Sequence, residues 1–262
     1  MLVALIGCTT TPSGRKQLAL LPETQMAEMG AAAFQQMKSR SRVLEGTPAT
    51  RYVQCVADHL TAVVEAGHVP KSWEVELFDD EAVNAFALPG GKIGVYTGLL
   101  KVANNQHQLA AVLGHEIAHV IARHGNERVS QQLAANVGLQ LAALLINTEN
   151  SRDKQILMGA LGLGAQFGVL MPFSRLQESE ADQLGLLLMA KAGFDPRESI
   201  QLWKNMEKNS EGSAPPEFLS THPSHETRIR RLRDALPEAL TRFEQAQQQG
   251  RRPRCRRLSD SG

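Results

Sequence analysis

A chain of 262 residues is long enough to bury a core of its own, either as one large domain or as two small ones. Its hydrophobic content of 42% and its charged content of 21% are ordinary for a folded soluble protein. The formal net charge of +1 gives no electrostatic reason to expect a nucleic-acid partner, and none is predicted.

The chain begins with a short apolar run that ends in Gly7-Cys8. This pattern resembles a bacterial lipobox, in which the cysteine becomes the lipidated first residue of the mature protein. No positively charged stretch precedes the run, which is also short for a signal peptide, so the alternative is an apolar terminus with a free cysteine. We expect residues 1–22 to be a signal remnant and tether, with the lipid anchor on Cys8.

Two helices are predicted next. Residues 22–39 have helical composition, and Thr47-Pro48 has the form of an N-cap followed by proline in the first turn. The second helix contains Cys55, which we expect to be a small buried residue. Because Cys8, Cys55 and Cys255 are widely spaced, the sequence suggests neither a zinc knuckle nor a disulfide framework.

The pattern then changes to that of a small sheet. Apolar residues alternate with glutamates over residues 73–77, which predicts a half-exposed strand. Residues 83–88 and 92–96 flank Pro89-Gly90-Gly91 and predict a hairpin. An exposed edge of such a sheet can pair with an extended peptide. Asn84 is polar in an apolar strand, which fits either a position beside the turn or one that faces a substrate.

The helix predicted over residues 105–123 contains the HExxH sequence of His115, Glu116 and His119. Histidines four residues apart lie on one helical face, where both can reach one tetrahedral Zn²⁺ that keeps a position open for water. Glu116 is then placed to act as a base toward that water. His124 follows at a spacing that does not fit the third histidine of metzincins, and we expect it to cap the helix C-terminus.

Two apolar stretches, residues 129–146 and 155–171, predict helices that are buried or lie on a surface, since polar residues interrupt both. Ser174 and Gln177 then have the form of a capping box at the start of another helix. Glu178 and Asp182 share one face of that helix. They fit either a metal ligand with a carboxylate that orients a ligand histidine, or a solvated acidic face.

Taken together, these pieces resemble metallopeptidase family 48, the gluzincin family of HtpX-like and prenyl-protein proteases, and most of all its soluble, Oma-like and BepA-like lipoprotein branch. The resemblance covers nearly the whole chain from about residue 20 to 236. Besides the lipobox-like start, it rests on NAFALPGGKIGVYTGLL at 84–100, GHEIAHVIARH at 114–124, SRLQESEAD at 174–182 and STHPSHETR at 220–228.

The resemblance implies a role for each matching residue. Glu178 corresponds to the third zinc ligand, with Glu180 as the competing assignment, and Asp182 to the carboxylate behind a ligand histidine. His222 corresponds to a histidine that either assists the transition state or serves as a reversible fourth ligand. Arg228 corresponds to an arginine that stabilises the oxyanion. The strand ending in Gly-Val-Tyr corresponds to the substrate-binding edge, so the substrate-binding residues are expected to be Asn84, Gly91, Ile93 and Val95.

The implied fold is α+β, a mostly helical gluzincin metalloprotease fold with a small antiparallel sheet beside the HExxH helix. We expect a peptidase domain over residues 23–245, after the tether of residues 1–22. Residues 246–262 are predicted to be a basic, disordered tail, because five arginines cluster within residues 251–257. The alternative for this cluster is attraction to anionic lipid or to another acidic surface.

The predicted protein is a zinc metalloendopeptidase, with one Zn²⁺ per chain, that hydrolyses misfolded or envelope proteins in quality control at the bacterial outer membrane. It is expected in the periplasm, anchored to the outer membrane as a lipoprotein, with the outer-membrane assembly machinery as a further partner. One alternative is a chaperone-like binding protein whose zinc site is latched shut by His222. Another is a structural-zinc protein without catalysis. A membrane-embedded prenyl-protein protease is the least favoured, because clear spanning helices are missing.

Overall fold

A computed structural model describes residues 8–65, 70, 72–145, 173–210, 218, 220, 222 and 226–257; for Cys8, residues 136–145, Ser210 and Glu226 it describes the backbone alone. The described architecture is α+β and mostly helical. The helices are α1 (Glu23–Arg40), α2 (Pro48–Thr61), α3 (Leu99–Val102), α4 (Gln106–Ile121), α5 (His124–Leu145), α6 (Arg175–Lys191), α7 (Glu198–Ser210) and α8 (Glu226–Gln248). The strands are β1 (Cys8–Thr10), β2 (Lys16–Leu18), β3 (Glu74–Phe78), β4 (Ala85–Leu88) and β5 (Lys92–Tyr96).

Local signals set the helix starts as the sequence predicts. The Thr47 hydroxyl accepts the Thr50 N–H at 3.0 Å, with proline in the first helical position of α2. Asn105 caps α4 by accepting two backbone N–H groups, each at 2.9 Å. Ser174 and Gln177 form the predicted reciprocal capping box of α6.

The three-stranded sheet is mixed, not antiparallel as predicted. β4 and β5 form the expected antiparallel hairpin, whose turn uses Gly90 and Gly91 at φ values of 82° and 78°. β3, however, pairs with the other side of β5 in parallel, so β5 is the central strand. Alternating polarity predicts that a strand exists but carries no information about its direction or its neighbour.

Helix α4 lies at the centre of the molecule and packs against α2, α6, α7 and β4. Each residue from Gln108 to His119 is buried, so the helix has no solvated face. α6 packs closely against α4 where Gly114 meets Gly185: a Cβ atom on Gly185 would lie 2.7 Å from the His115 backbone nitrogen. Because neither glycine has a side chain, the two helices lie close enough for the acidic residues of α6 to reach the HExxH sequence.

The C-terminal segment is folded onto the core, so the predicted disordered tail is wrong for residues 246–257, of which 246–248 end helix α8. Cys255 is buried and forms a disulfide with Cys55 of α2 across a sequence separation of 200. Gln106 adds two bonds, donating to the Pro253 carbonyl at 3.0 Å and accepting the Cys255 N–H at 2.8 Å. The pairing was not predicted because cysteine spacing does not indicate which distant thiols meet.

Residues 129–145 of the first predicted apolar stretch are part of α5, which begins earlier than expected, at His124. The second stretch, residues 155–171, lies outside the described residues. Among the helices of the described part, none has both the length and the apolar character that a membrane crossing requires.

Candidate metal centre

Four side chains from three parts of the chain converge beside α4. The Nε2 atoms of His115 and His119 lie 3.1 Å apart, and the Glu178 carboxylate lies 3.6 Å from the first and 3.4 Å from the second. His222 approaches the same point, with its Nε2 4.0 Å from Glu178 Oε1. One ligand atom from each of the four residues lies within 4.8 Å of the others, so the cluster could hold a metal ion.

Buried oxygens in this cluster fit a cation. Among the described residues, Glu178 Oε1 and Glu116 Oε1 have no hydrogen-bond partner, although both are shielded from solvent. Burying a carboxylate oxygen without a hydrogen-bond partner is costly. Burial raises the pKa of the Glu178 carboxyl and lowers the pKa of His119 and His222 well below the usual range. At His115 burial is outweighed by the Glu178 and Asp182 carboxylates, which raise the pKa of this imidazole. Imidazoles that give up a proton beside an undercompensated carboxylate are the donor set that a Zn²⁺-type ion needs.

Glu116 lies between the cluster and the sheet. The backbone N–H of Ala87 in strand β4 bonds to its carboxylate, and its Oε1 is 3.5 Å from His222 Nε2. Burial raises the pKa of Glu116 to about 8. A pKa close to neutral pH suits a group that must both take up and release a proton during a reaction.

His115 is supported from behind by Asp182, whose Oδ1 lies 2.9 Å from His115 Nδ1. Arg228 in turn bonds Asp182 Oδ2 at 2.6 Å and also contacts Glu178. Its guanidinium lies 3.9 Å from the centre of the Trp203 ring. In this closed state the donors of Arg228 contact these two carboxylates and, at 3.5 Å, the His222 carbonyl, so its oxyanion role stays a prediction.

His119 has a corresponding support that the sequence did not predict. His124 is fully buried, with its Nδ1 2.9 Å from His119 Nδ1 and its Nε2 3.1 Å from Glu180 Oε2. The predicted capping role of His124 is therefore wrong, since the chain turns at Arg123, where φ is 58°, and starts α5. Glu180, the competing ligand, belongs to this supporting layer and not to the cluster.

Arg15 completes this second support from the other end of the chain. It lies between β1 and β2, donates to Glu180 at 2.7 Å and binds Glu127 through two bonds of 2.7 Å. Gln17 fixes the hairpin further by donating to the Ala122 carbonyl at 2.9 Å. The part of the predicted tether that is described, residues 8–22, is thus packed against the site.

Aromatic rings cover the cluster. Phe173 stacks on His119 with ring centres 3.8 Å apart, and Phe218 stacks on His222 at 4.5 Å. The Arg128 guanidinium lies 3.7 Å from the centre of the Phe173 ring. His119 is only 3% exposed, so the cluster is closed to solvent in this state.

A cavity of about 610 Å³ runs from His119 and Phe173 along Ala87–Gly90, between α1 and the N-terminal hairpin. Its strand wall is β4, which is an edge of the sheet. The substrate-binding residues predicted from the resemblance lie elsewhere. Ile93 and Val95 lie in the central strand and are fully buried. Asn84, just before β4, is also buried, and Gly91, just before β5, packs against residues 70 and 72. The strand order explains the error, because β5 has neighbours on both sides.

The chain belongs to peptidase family M48, whose model matches residues 48–236. It is 39% identical to the mitochondrial metalloendopeptidase OMA1 of Schizosaccharomyces pombe over 199 residues, which are 75% of this chain and 56% of that protein. It is 33% identical to the mitochondrial metalloendopeptidase OMA1 of Homo sapiens over 239 residues, which are 87% of this chain and 45% of that protein. It is also 30% identical to the beta-barrel assembly-enhancing protease of Escherichia coli over 210 residues, which are 78% of this chain and 42% of that protein. The chain thus spans about half the length of these relatives.

Proposed function

We propose that this protein is a zinc-dependent endopeptidase that cleaves extended segments of unfolded or misfolded proteins. The observation that carries the proposal is the convergence of His115, His119 and Glu178 with Glu116 at one end of a cleft bordered by an edge strand. Two imidazoles, one carboxylate and a neighbouring glutamate form the donor set and base of gluzincin peptidases.

The ligands would be His115, His119 and Glu178. Zn²⁺ is favoured because a set of nitrogen donors with one carboxylate suits it better than Mg²⁺ or Ca²⁺, which prefer oxygen. When bound, the ion supplies a water of lowered pKa and polarises the scissile carbonyl. Asp182 behind His115 and His124 behind His119 would fix the orientation of each ligand ring and the nitrogen that it turns toward the metal.

The remaining steps belong to residues of the chain. The free side of β4 would align an extended substrate by main-chain pairing, which places a peptide bond inside a segment and not at its end. Glu116 would take a proton from the attacking water and pass it to the leaving amine. His222, 3.5 Å from Glu116, is placed to donate to the developing oxyanion.

A second candidate function is a chaperone-like binding protein whose metal site stays latched. The observation that favours it is the closed site, in which His222 lies within the ligand set and Phe173 covers His119. We treat this closure as the resting state of the enzyme, since Glu116 would have no role in a permanently latched protein.

The setting we propose is protein quality control at the bacterial outer membrane. The lipobox-like Cys8 would carry a lipid anchor facing the periplasm, and residues 23–245 would form the peptidase domain. One similar protein is named a beta-barrel assembly-enhancing protease, which supports an association with outer-membrane assembly. Substrates would then include misfolded outer-membrane proteins.

The test compares wild type, Glu116→Gln and His222→Ala in metal analysis and in digestion of casein and of an unfolded outer-membrane protein. Glu116→Gln should retain zinc and lose at least about 100-fold in rate, the scale of general-base catalysis. Glu81→Gln, at a side chain that is 79% exposed, is the matched control. Cleavage by Glu116→Gln at the wild-type rate would show that the assigned base is wrong. Protection of unfolded substrate without cleavage by wild type would favour the chaperone-like function.

His222→Ala distinguishes the two roles of that histidine. A loss of activity with zinc retained would mean that His222 assists the reaction. A gain of activity would mean that His222 acts as a reversible fourth ligand that closes the site.

A further inference from the structure

Helix α1 forms one wall of the cleft that runs from the metal centre. The residues of this wall between positions 26 and 33 are small or apolar: Met26, Ala27, Met29, Gly30 and Ala33. Strand β4 and the turn after it line the cleft with three more apolar residues, Ala87, Leu88 and Pro89. A substrate that pairs with β4 would therefore have apolar protein surface beside its side chains.

The charged side chains along the cleft leave this wall without a net charge. Glu23 and Arg123 form an ion pair, and their side chains are 61% and 31% exposed, so the pair lies at the rim. Arg128, the third charged side chain that the structure places along the cleft, lies over the Phe173 ring at the metal end. The part of the cleft beside α1 thus favours uncharged side chains over ionised ones.

Met29 exposes apolar surface inside the cleft. It is 41% exposed, whereas Met26, three residues earlier on the same helical face, is buried. Apolar surface that is exposed and continuous with a site is typical of a place where a ligand binds. Because methionine is flexible and polarisable, it adapts to apolar groups of different shapes.

Helix α1 is fixed relative to the strand edge and to the metal centre. A Cβ atom on Gly30 would lie 2.1 Å from the Pro89 carbonyl oxygen, so the helix contacts the end of β4 with no side chain between them. The Cε atom of Met26 lies 3.9 Å from the place of a Cβ atom on Gly125, which directly follows His124. The apolar wall is therefore held in position before a substrate arrives.

The N-terminal hairpin lines the same cleft with polar side chains. Thr9 and Thr10 of β1 and Gln17 of β2 belong to this lining, and Thr9 is opposite Gln17 in the ladder. Gln17 Nε2 donates to the Ala122 carbonyl at 2.9 Å, which leaves Oε1 as a buried acceptor with no hydrogen-bond partner among the described residues. Hydroxyl groups and an amide oxygen suit polar substrate side chains, so this wall accepts a different chemistry from α1.

Successive side chains of an extended chain point to opposite faces, so a segment between these two walls would turn alternate residues to each. From Met26 to Ala33 the apolar wall is about 10 Å long, and alternate residues of a strand are about 7 Å apart, so the wall can contact two of them. We propose that the cleft selects extended segments in which apolar and polar residues alternate, with Met26 and Met29 as the residues that determine this specificity.

This alternation is the pattern of strands in β-sheet proteins, which unfolding leaves accessible. The substrate class would then be unfolded β-sheet proteins. The inference rests on the peptidase function proposed above, because it names the substrates of that same site.

The experiment compares two fluorogenic peptides of equal length and composition. In one, leucine alternates with threonine; in the other, the leucines are consecutive. The zinc-loaded full chain should cleave the alternating peptide with a kcat/KM roughly tenfold higher, the scale of one additional apolar side chain that is partly buried. Binding of both peptides to Glu116→Gln, followed by fluorescence anisotropy, should show the same preference, because binding does not need the base.

Met29→Lys places a charge on the apolar wall. It should lower kcat/KM for the alternating peptide by roughly tenfold and raise it for a third peptide, in which glutamate replaces the leucines. Met29→Leu, which keeps an apolar side chain, should retain the wild-type preference. Leu133→Lys is the matched control: Leu133 is also 41% exposed but lies on α5 away from the cleft lining, so the rates should change by less than about twofold.

The specificity and the peptidase function fail in different ways. Equal cleavage of the two leucine peptides, or an equal loss on all three peptides in Met29→Lys, would overturn the specificity and leave the peptidase function standing. So would a Leu133→Lys control that loses as much as Met29→Lys. Preferential binding of the alternating peptide with no cleavage by wild type would support the specificity and refute the peptidase function. Neither binding nor cleavage of any peptide would overturn both. Zinc content and unfolding curves verify that each variant is folded.

Discussion

Replacing His124 by Phe should weaken zinc binding while the fold persists. The phenyl ring keeps the shape of the buried side chain but removes both of its contacts, at 2.9 Å to His119 Nδ1 and at 3.1 Å to Glu180. If His119 binds zinc through Nε2, its Nδ1 carries the proton, and His124 Nδ1 accepts it. His124 can then donate through Nε2 to Glu180, so one arrangement of protons satisfies the hydrogen bonds of His119, His124 and Glu180.

The expected loss follows from what His124 does for His119. Removing a partner behind a ligand histidine typically costs 10- to 100-fold in metal affinity, because the ring loses its orientation and its basicity. Asp182→Asn provides an internal comparison, since Asp182 contacts His115 at a similar distance of 2.9 Å. We therefore expect losses of the same order, about 10- to 100-fold, for the two variants.

The assay is competition for zinc with a fluorescent chelator at fixed pH. His59→Phe, at an exposed histidine of α2, controls for the substitution itself. The unfolding free energy of the metal-free proteins separates a local effect on the metal site from a loss of fold. If the effect is local, zinc affinity falls although the metal-free stability of the variant stays close to that of wild type. Wild-type zinc affinity in a folded His124→Phe variant would refute the proposed support of His119.

Two further predictions concern the framework. Arg15→Met should cost about 3 kcal/mol of unfolding free energy at neutral pH, because it leaves the Glu127 and Glu180 carboxylates buried without their cation. Hydrogen bonds outweigh burial and hold the pKa of both glutamates below the usual range, so the stability that these carboxylates contribute is present above about pH 4.3 and is lost as the pH falls. In urea unfolding, the difference in stability between variant and wild type should therefore shrink below about pH 4. A difference that does not depend on pH would contradict this origin. Gly185→Ala should cost about 1–3 kcal/mol and weaken zinc binding, since its methyl group would push α6 from α4. Gly125→Ala, whose methyl group would lie 3.6 Å from its nearest neighbour, is the control, and equal effects of the two substitutions would refute the packing argument.

The predictable parts of this molecule are those that the local sequence determines. The HExxH spacing, the capping box before Gln177 and the hairpin at Gly90 each depend on residues within one or two turns of chain, and the structure has all three. The physical reason is that helix periodicity, caps and tight turns are set by neighbouring residues.

The parts that were missed depend on residues far apart in sequence. The sequence separation of the Cys55–Cys255 pair is 200, and that of Arg15 and Glu180 is 165. His124 offered a local signal, since it follows His119 by five residues, but its direction depends on the turn at Arg123 and could not be read from spacing. For Arg228, the sequence indicated a place near the site but not what its guanidinium touches.

The charges around the metal centre give an independent argument for a divalent ion. Among the residues that the structure describes, five buried carboxylates surround it and three arginines face them; these are Glu116, Glu127, Glu178, Glu180 and Asp182 with Arg15, Arg128 and Arg228. When these five carboxylates are ionised and the histidines neutral, five negative and three positive charges leave two negative charges, which is the charge that one divalent cation balances. Of the five acids, Glu116 and Glu178 have a raised pKa, with burial as the main cause, so the uncompensated charge is concentrated on the two that face the ligand histidines. Binding of a cation there should therefore release protons, which would leave the Glu116 carboxylate ionised and able to accept a proton from water.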